Sequence, residues 1–286
     1  MTCEAAFRSA AYGCLQDVAA NQTAACADDG DALHQMRIAL MRLRTLVSFF
    51  SPMVSGPEWV RLKRELKWLN GYLGAARDMD VLMVRLKANA DEDFETPVLA
   101  KVRNRKWTQS HQRVTRALKS QRYERLIQNL LLWVEGGGQT ATTSKLRAEA
   151  IATYAAHKLS RWHRKLLKKS RSLEGMSIEK LHRLRIATKR LRYAIEFFAP
   201  LFSTKHPARQ KAIQKYLRNG QETLGSLNDA ERARSLTAGF HDRSHNRTRA
   251  KQDRAAIPDS EKRTKQLINA AAAAYHKMAQ TKPFWT

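Results

Sequence analysis

The chain has 286 residues, 43% of them hydrophobic, and sets 52 Lys and Arg against 26 Asp and Glu for a formal charge of +26. That length supports two helical bundles or one large domain whose core needs no metal or disulfide, and that charge calls for a polyanionic partner: nucleic acid, an anionic membrane or a phosphate polymer. Cys3, Cys14 and Cys26 form no Cys-x-x-Cys pair, which argues against a disulfide framework or a zinc site, while the lack of a long apolar run and the early Glu4, Arg8 and Asp17 argue against a membrane span or a secretory signal, so a soluble cytoplasmic protein is expected.

Glu4 to Ala20 reads as a helix, with Phe7, Ala11, Cys14 or Leu15, and Val18 at helical spacing. Asn21 to Gly30 is small and polar, and Asp31 is the expected N-cap of a helix through Leu33–Phe50. Pro52 ends it, and Ser55-Gly56-Pro57 turns into a second helix with Trp59, Leu62, Leu66, Leu69 and Leu73 as its apolar stripe and Lys63 and Lys67 outside that stripe. Leu73-Gly74-Ala75-Ala76-Arg77-Asp78 reads as a helix end and restart, Gly74 closing one helix and Asp78 capping the next, Met79 to Ala90. Pro97 to Leu118, basic through Lys101, Arg103, Arg105, Lys106, Arg113 and Arg116, and Tyr123 to Val134 continue as helices. Gly136 to Thr143 is the clearest linker, and it divides an N-terminal half, 1–138, from a C-terminal half, 139–286.

Lys145 to Lys169 plays the part of the first helix in the second half, and Ser177 caps a helix through Leu181–Phe198. Lys205 to Leu224 carries Lys211, Lys215 and Arg218, and Leu224-Gly225-Ser226-Leu227-Asn228-Asp229 repeats the break before Asp229 to Phe240. A basic loop with Arg243, Arg247, Arg249, Lys251 and Arg254 precedes a last helix from Pro258 to about Ala279, and Pro283-Phe284-Trp285 either docks or frays. No alternating strand pattern of useful length intervenes, so the chain is expected to be all-α.

The organising feature is a repeat. LHQMRIALMRLRTLVSFF at Leu33 returns as LHRLRIATKRLRYAIEFF at Leu181, an offset of 148, and the Leu-Gly segments follow at an offset of 151. At about 100° per residue, Arg37, position 41 and Arg44 fall roughly 60°, 20° and 80° to one side of His34, a face about 15 Å long. Met36, Leu40, Leu43, Val47 and Phe50 lie on the other side, and His182, Arg185, Lys189 and Arg192 repeat the basic face against Leu184, Leu191, Ile195 and Phe198. Ala32 to Pro57 and Lys180 to Ile195 contain no Asp or Glu, so these cations are expected to lack partners within their own helices.

Such faces suit phosphate. Arg37, Arg44, Arg185 and Arg192 give forked, charge-assisted hydrogen bonds, Lys189 gives a point charge, and His34 and His182 are expected to donate in either protonation state. Arginines beside the histidines oppose a divalent cation, and no phosphate-binding loop, nucleophile elbow or zinc-protease helix is present; no cofactor, metal or catalytic residue is expected. General nucleic-acid binding is the alternative, although Tyr193 is the only aromatic within either basic helix before the closing Phe pair, and Trp107, Trp133 and Trp162 are dispersed as packing residues. A phosphohydrolase or kinase accessory with an unseen metal is a third reading. A membrane would need an exposed apolar face that these helices spend on their core.

The repeated His-x-x-Arg helix followed by Leu-Gly-x-x-(Arg/Asn)-Asp resembles the CHAD family, the conserved histidine α-helical domain, over nearly the whole chain. The resemblance implies one CHAD-like domain over 1–286, built as two pseudo-twofold-related four-helix bundles around a central basic cavity. It also implies binding of inorganic polyphosphate, association with polyphosphate granules, and no membrane or sequence-specific nucleic-acid partner. CHAD domains are often fused to a CYTH-type triphosphate-processing domain; none is evident here, so a stand-alone module is expected, with any polyphosphate-metabolising partner enzyme unidentified. Carried over by position, the site residues are His34, Arg37, Arg42 and Arg44, with His182, Arg185, Lys189, Arg190 and Arg192. Lys63, Lys67, Lys211, Lys215 and Arg218 join them from the partner helices. Met41 stands where the family commonly has a cation, so weaker binding is expected in the first half, and Arg42 and Arg190, about 80° from their histidines, are candidates for a bundle edge.

Overall fold

The computed structural model describes residues 1–54, 56–88, 97–136, 144–202, 206–241 and 258–286. The chain is all-α: among the described residues the only extended pairing is an isolated bridge between Thr2 and Ala150. In order the helices are α1 (Cys3–Ala20), α2 (Gln22–Cys26), α3 (Gly30–Phe49), α4 (Ser51–Val54), α5 (Pro57–Ala88), α6 (Pro97–Leu118), α7 (Gln121–Gly136), α8 (Ser144–Ala148), α9 (Ile151–Lys169), α10 (Ile178–Phe198), α11 (Pro207–His241) and α12 (Pro258–Gln280). They form two compact units, Met1–Ile151 and Ala152–Thr286. The linker residues 137–143 and the basic loop from Arg243 to Arg254 lie outside the described residues.

In the first unit, the apolar stripe of α3 is buried along its length, Leu33, Met36, Leu40, Leu43, Val47 and Phe50 being at most 2% exposed. Phe50 and Trp133 meet Phe7 edge to face at 5.7 and 5.6 Å, and Trp59 stacks on Trp133 at 5.2 Å. The cap of α3 is Asp29 rather than Asp31: its carboxylate accepts from the N–H groups of Asp31 and Ala32 at 2.8 and 3.1 Å. Asp31 then falls in the first turn, where its charge complements the helix dipole. The helix expected over Lys145–Lys169 breaks at Glu149 and Ala150, because their backbone pairs with the chain start: Cys3 N–H donates to Glu149 C=O at 2.9 Å. Burial pushes the Cys3 thiol up to about 11 and that of Cys14 to about 12, so both remain protonated core residues.

The expected helix breaks at the two Leu-Gly segments do not occur. α5 runs 32 residues through Gly71 and Gly74, and α11 runs 35 through Gly220 and Gly225. The stripe of α5 explains this, since Leu62, Leu66, Leu69, Leu73, Ala76, Met79 and Leu82 stay in phase and buried across the glycines. Each buried Leu contributes about 2 kcal/mol, against a cost of about 1 kcal/mol for a helical glycine. The capping chemistry read at Gly74 and Asp78 is overridden by the shared core.

The second unit is organised around α10, α11 and α12. Ser177 caps α10 as expected, its hydroxyl accepting from Lys180 N–H at 3.4 Å. Thr188, fully buried in α10, hydrogen bonds the Tyr275 hydroxyl of α12 at 2.6 Å. Burial pushes that phenol up to about 12, although the bond to Thr188 works the other way. The chain end docks: Phe284 and Trp285 are 0% and 3% exposed, and the Trp285 indole N–H donates to Ser160 at 3.0 Å.

Gly220 lets the Tyr275 ring lie on α11, for an added Cβ would meet the ring and hydroxyl at 3.0–3.3 Å, whereas a Cβ on Gly74 meets nothing within 4 Å. The two substitutions therefore have opposite signs. Gly220→Ala destabilises the protein by about 2 kcal/mol through overpacking, and Gly74→Ala stabilises it by roughly 0.5–1 kcal/mol through helix propensity. Urea midpoints of the two variants against the parent check both signs.

Candidate anion-binding site

Each unit presents one basic row. On α3, His34, Arg37, Met41 and Arg44 are half-buried along a single face; on α10, His182, Arg185, Lys189 and Arg192 are the matching half-buried set. The structure brings each row against the Leu-Gly segment of its partner helix. Arg37 Nη1 donates to the Gly74 carbonyl at 3.4 Å. At the equivalent place, Arg185 lies along α11 so closely that a Cβ on Gly225 would sit 3.7 Å from its Nε. The same two positions meet in both units, so each central arginine is seated against fixed helical backbone.

The fifth residue of each Leu-Gly segment secures the start of its row by different chemistry. Arg77 Nη1 donates to the Gly30 carbonyl in the first turn of α3 at 3.4 Å. Asn228 instead holds the histidine, its Oδ1 lying 2.7 Å from His182 Nδ1 while its amide donates to Asp229 at 3.4 Å. With the amide so oriented, Nδ1 carries the hydrogen and Nε2 is the unprotonated nitrogen of the neutral ring. Nε2 then donates only when the ring is protonated, which is narrower than donation in either state.

The expectation that the cations lack partners in their own helix is corrected at Arg192. The acid-free interval stops one residue short of Glu196, which forms an i,i+4 ion pair with Arg192 Nη1. Arg192 Nε also donates to Gln221 at 2.8 Å, and its guanidinium lies over the Tyr193 ring at 4.6 Å. Position 48, the counterpart of Glu196, is Ser48, so Arg44 has no such acid. The half with Met41 thus retains an Arg44 that no helical carboxylate neutralises, while the half with Lys189 has Arg192 partly engaged.

Arg42 leaves the row: it is half-buried, and its charge reaches Cys14 of α1, where it opposes the burial that raises that thiol. Arg190 is exposed beside its row, and Lys63, Lys211, Lys215 and Arg218 are exposed on the partner helices. Lys67, also exposed, lines a groove with Arg64 and Arg113. Arg77 and Asn228 read in the sequence only as residues of the Leu-Gly turns, and the offset of 151 that aligns them is the signal that marks them; Gln221 carries no such signal. Among the described residues, no group of three His, Cys, Asp or Glu converges to hold a metal ion, and no helix is long and apolar enough to cross a membrane.

An all-helical chain carrying two like basic helices, each seated on the Leu-Gly segment of its neighbour, defines a narrow class of protein. The family model for the CHAD domain matches residues 9–238, and the chain belongs to the CHAD domain family. It is 30% identical over 209 residues to two uncharacterized proteins of Mycobacterium tuberculosis, MT2285 and Rv2226, the match covering 70% of this chain and 40% of each relative. This chain therefore spans well under half the length of those curated relatives. The crystal structure of the CHAD domain from the plant Ricinus communis superposes with a TM-score of 0.75 at 28% identity, covering 96% of this chain and 92% of that one. PptA from Streptomyces chartreusis shares the fold, with a TM-score of 0.63 at 14% identity over 98% and 99% of the two chains.

Proposed function

We propose that this protein binds inorganic polyphosphate without transforming it, through His34, Arg37 and Arg44 on α3 and His182, Arg185, Lys189 and Arg192 on α10. The CHAD family is associated with polyphosphate binding, and one observation supports that reading here: the central arginine of each row rests on a helical glycine of the partner helix. A seated guanidinium loses little further freedom when it takes a phosphate, so more of the interaction appears as affinity. The exposed Lys63, Lys67, Lys211, Lys215 and Arg218 add charge that steers the polyanion. A longer chain presents more phosphates to each row, so affinity rises with chain length. Presence on polyphosphate granules follows from the same interaction.

Ligand also stabilises the fold. Polyphosphate that binds the folded protein in preference to the unfolded chain raises Tm by linkage. The direct test is a competition titration: labelled long-chain polyphosphate at near-physiological salt, challenged by single- and double-stranded DNA at matched phosphate concentration. Retention against excess DNA supports the proposal. Equal displacement returns the protein to general polyanion binding, because salt sensitivity alone does not separate two polyanions.

A further inference from the structure

A second feature lies within the first unit, and no residue of the α3 row lines it. Two adjoining cavities of about 570 and 510 Å³ share Trp68, Tyr72 and Arg113 as lining residues. Arg64 and Lys67 of α5 border the first, Arg116 of α6 and Arg122 of α7 the second, and among the described residues no Asp or Glu lines either one. Each volume lies within the range of small-ligand pockets, about 300–1,000 Å³.

The aromatic walls are held in place. Trp68 and Tyr72 meet edge to face at 5.7 Å, and Arg122 lies over the Trp68 ring at 4.2 Å. Glu65 fixes that arginine, accepting from its Nε and Nη2 at 2.7 and 3.2 Å. Arg122 is thereby largely neutralised, whereas Arg64, Lys67, Arg113 and Arg116 are exposed and have no ion pair among the described residues.

This groove is not part of the repeated design. At the offset of 151, Arg64 and Lys67 correspond to Lys215 and Arg218, but Trp68, Gly71 and Tyr72 correspond to Asn219, Glu222 and Thr223. The cations recur while the rings do not, and an acid replaces the glycine. A ligand of phosphate alone has no use for that difference. A ligand that joins a planar ring to phosphates uses both features, the ring against Trp68 and Tyr72 and the phosphates against Arg64, Arg113 and Arg116.

We propose that the groove between α5 and α6, walled by Trp68 and Tyr72 and rimmed by Arg64, Lys67, Arg113 and Arg116, is a binding site for a free nucleoside polyphosphate. The experiment titrates the full chain with magnesium-free ATP, inorganic triphosphate and a 12-nucleotide oligoadenylate, using Trp68→Ala, Arg113→Gln and Arg37→Ala/Arg185→Ala beside the parent. ATP is expected to bind about tenfold tighter than inorganic triphosphate, and Trp68→Ala and Arg113→Gln are each expected to weaken ATP by about tenfold. Both variants keep long-chain polyphosphate affinity within about twofold of the parent, while the Arg37/Arg185 pair shows the reverse pattern. Trp68→Ala also removes the ring under Arg122, so Arg113→Gln, which leaves that stack intact, is decisive if the Trp68 variant fails to fold. Equal affinity for ATP and inorganic triphosphate overturns the proposal, as does ATP binding unchanged in Arg113→Gln. Oligoadenylate displacing ATP at lower nucleotide concentration also overturns it and assigns the groove to single-stranded nucleic acid. Loss of ATP binding in the Arg37/Arg185 pair alone places the nucleotide on the rows and overturns it equally.

Discussion

Replacing Arg37 and Arg185 together by Ala lowers the affinity for long-chain polyphosphate about 100-fold at near-physiological salt. A charge-assisted hydrogen bond contributes about 1.5–3 kcal/mol, and losing one in each unit removes about 3 kcal/mol, or two decades. The salt dependence should flatten as well, its log–log slope falling by roughly 1.4 if each cation counts as it does on a single-stranded polyanion. Removing an equal charge elsewhere is the control: Lys101→Ala/Arg105→Ala, exposed on α6, lowers affinity by much less, because those side chains are neither in a row nor seated. An equal loss in the control would reduce the site to net charge. Within the rows, Arg44→Ala costs more than Arg192→Ala, since Arg192 is already committed to Glu196 and Gln221.

The features legible in the sequence were those set by periodicity within one helix. The buried stripe of α3, the half-buried row on its other face, the Ser177 cap and the prolines opening α5 and α12 all follow from residues within a few turns of one another. What sequence misread depended on a second helix. Gly74 and Gly225 have the local chemistry of a helix end, yet a leucine stripe buried on other helices carries α5 through its glycines. Asn228 reads as a turn residue until α11 is continuous; only then does it stand beside His182. Glu196 lay one residue beyond the acid-free window, so a boundary drawn by sequence hid an ion pair one turn long. Trp68 and Tyr72 carry no signal in the sequence for a similar reason, since they meet cations from α6 and α7 only in the folded unit.

Asp80→Ala destabilises the protein by about 3–4 kcal/mol at pH 7. Asp80 is 9% exposed, and its Oδ1 accepts from the Trp107 indole at 2.9 Å and pairs with His111 Nε2 at 2.8 Å; His111 itself is 1% exposed. Truncation strands the buried His111 ring nitrogen and the half-buried Trp107 indole N–H on α6, at about 1–3 kcal/mol each with the indole at the low end, and loosens the α5 surface on which Gly30 rests, where a Cβ would lie 3.3 Å from Asp80 Oδ2. Asp80→Asn keeps one acceptor oxygen and costs roughly half as much. Burial pushes the Asp80 carboxyl up, but the hydrogen bonds from His111 and Trp107, with the charges of His111 and Arg77, outweigh it and hold the group below its ordinary 3.8. A depressed carboxylate stabilises the fold above its unfolded pKa and loses that contribution as pH falls through the folded one. The gap between parent and Asp80→Ala is therefore full above about pH 4 and closes in more acid solution. Urea unfolding of all three proteins from pH 7 downward reads both the size and the sign. A gap below about 1 kcal/mol at neutral pH, or one that widens in acid, would show that α6 is anchored elsewhere and that the start of the α3 row does not depend on this carboxylate.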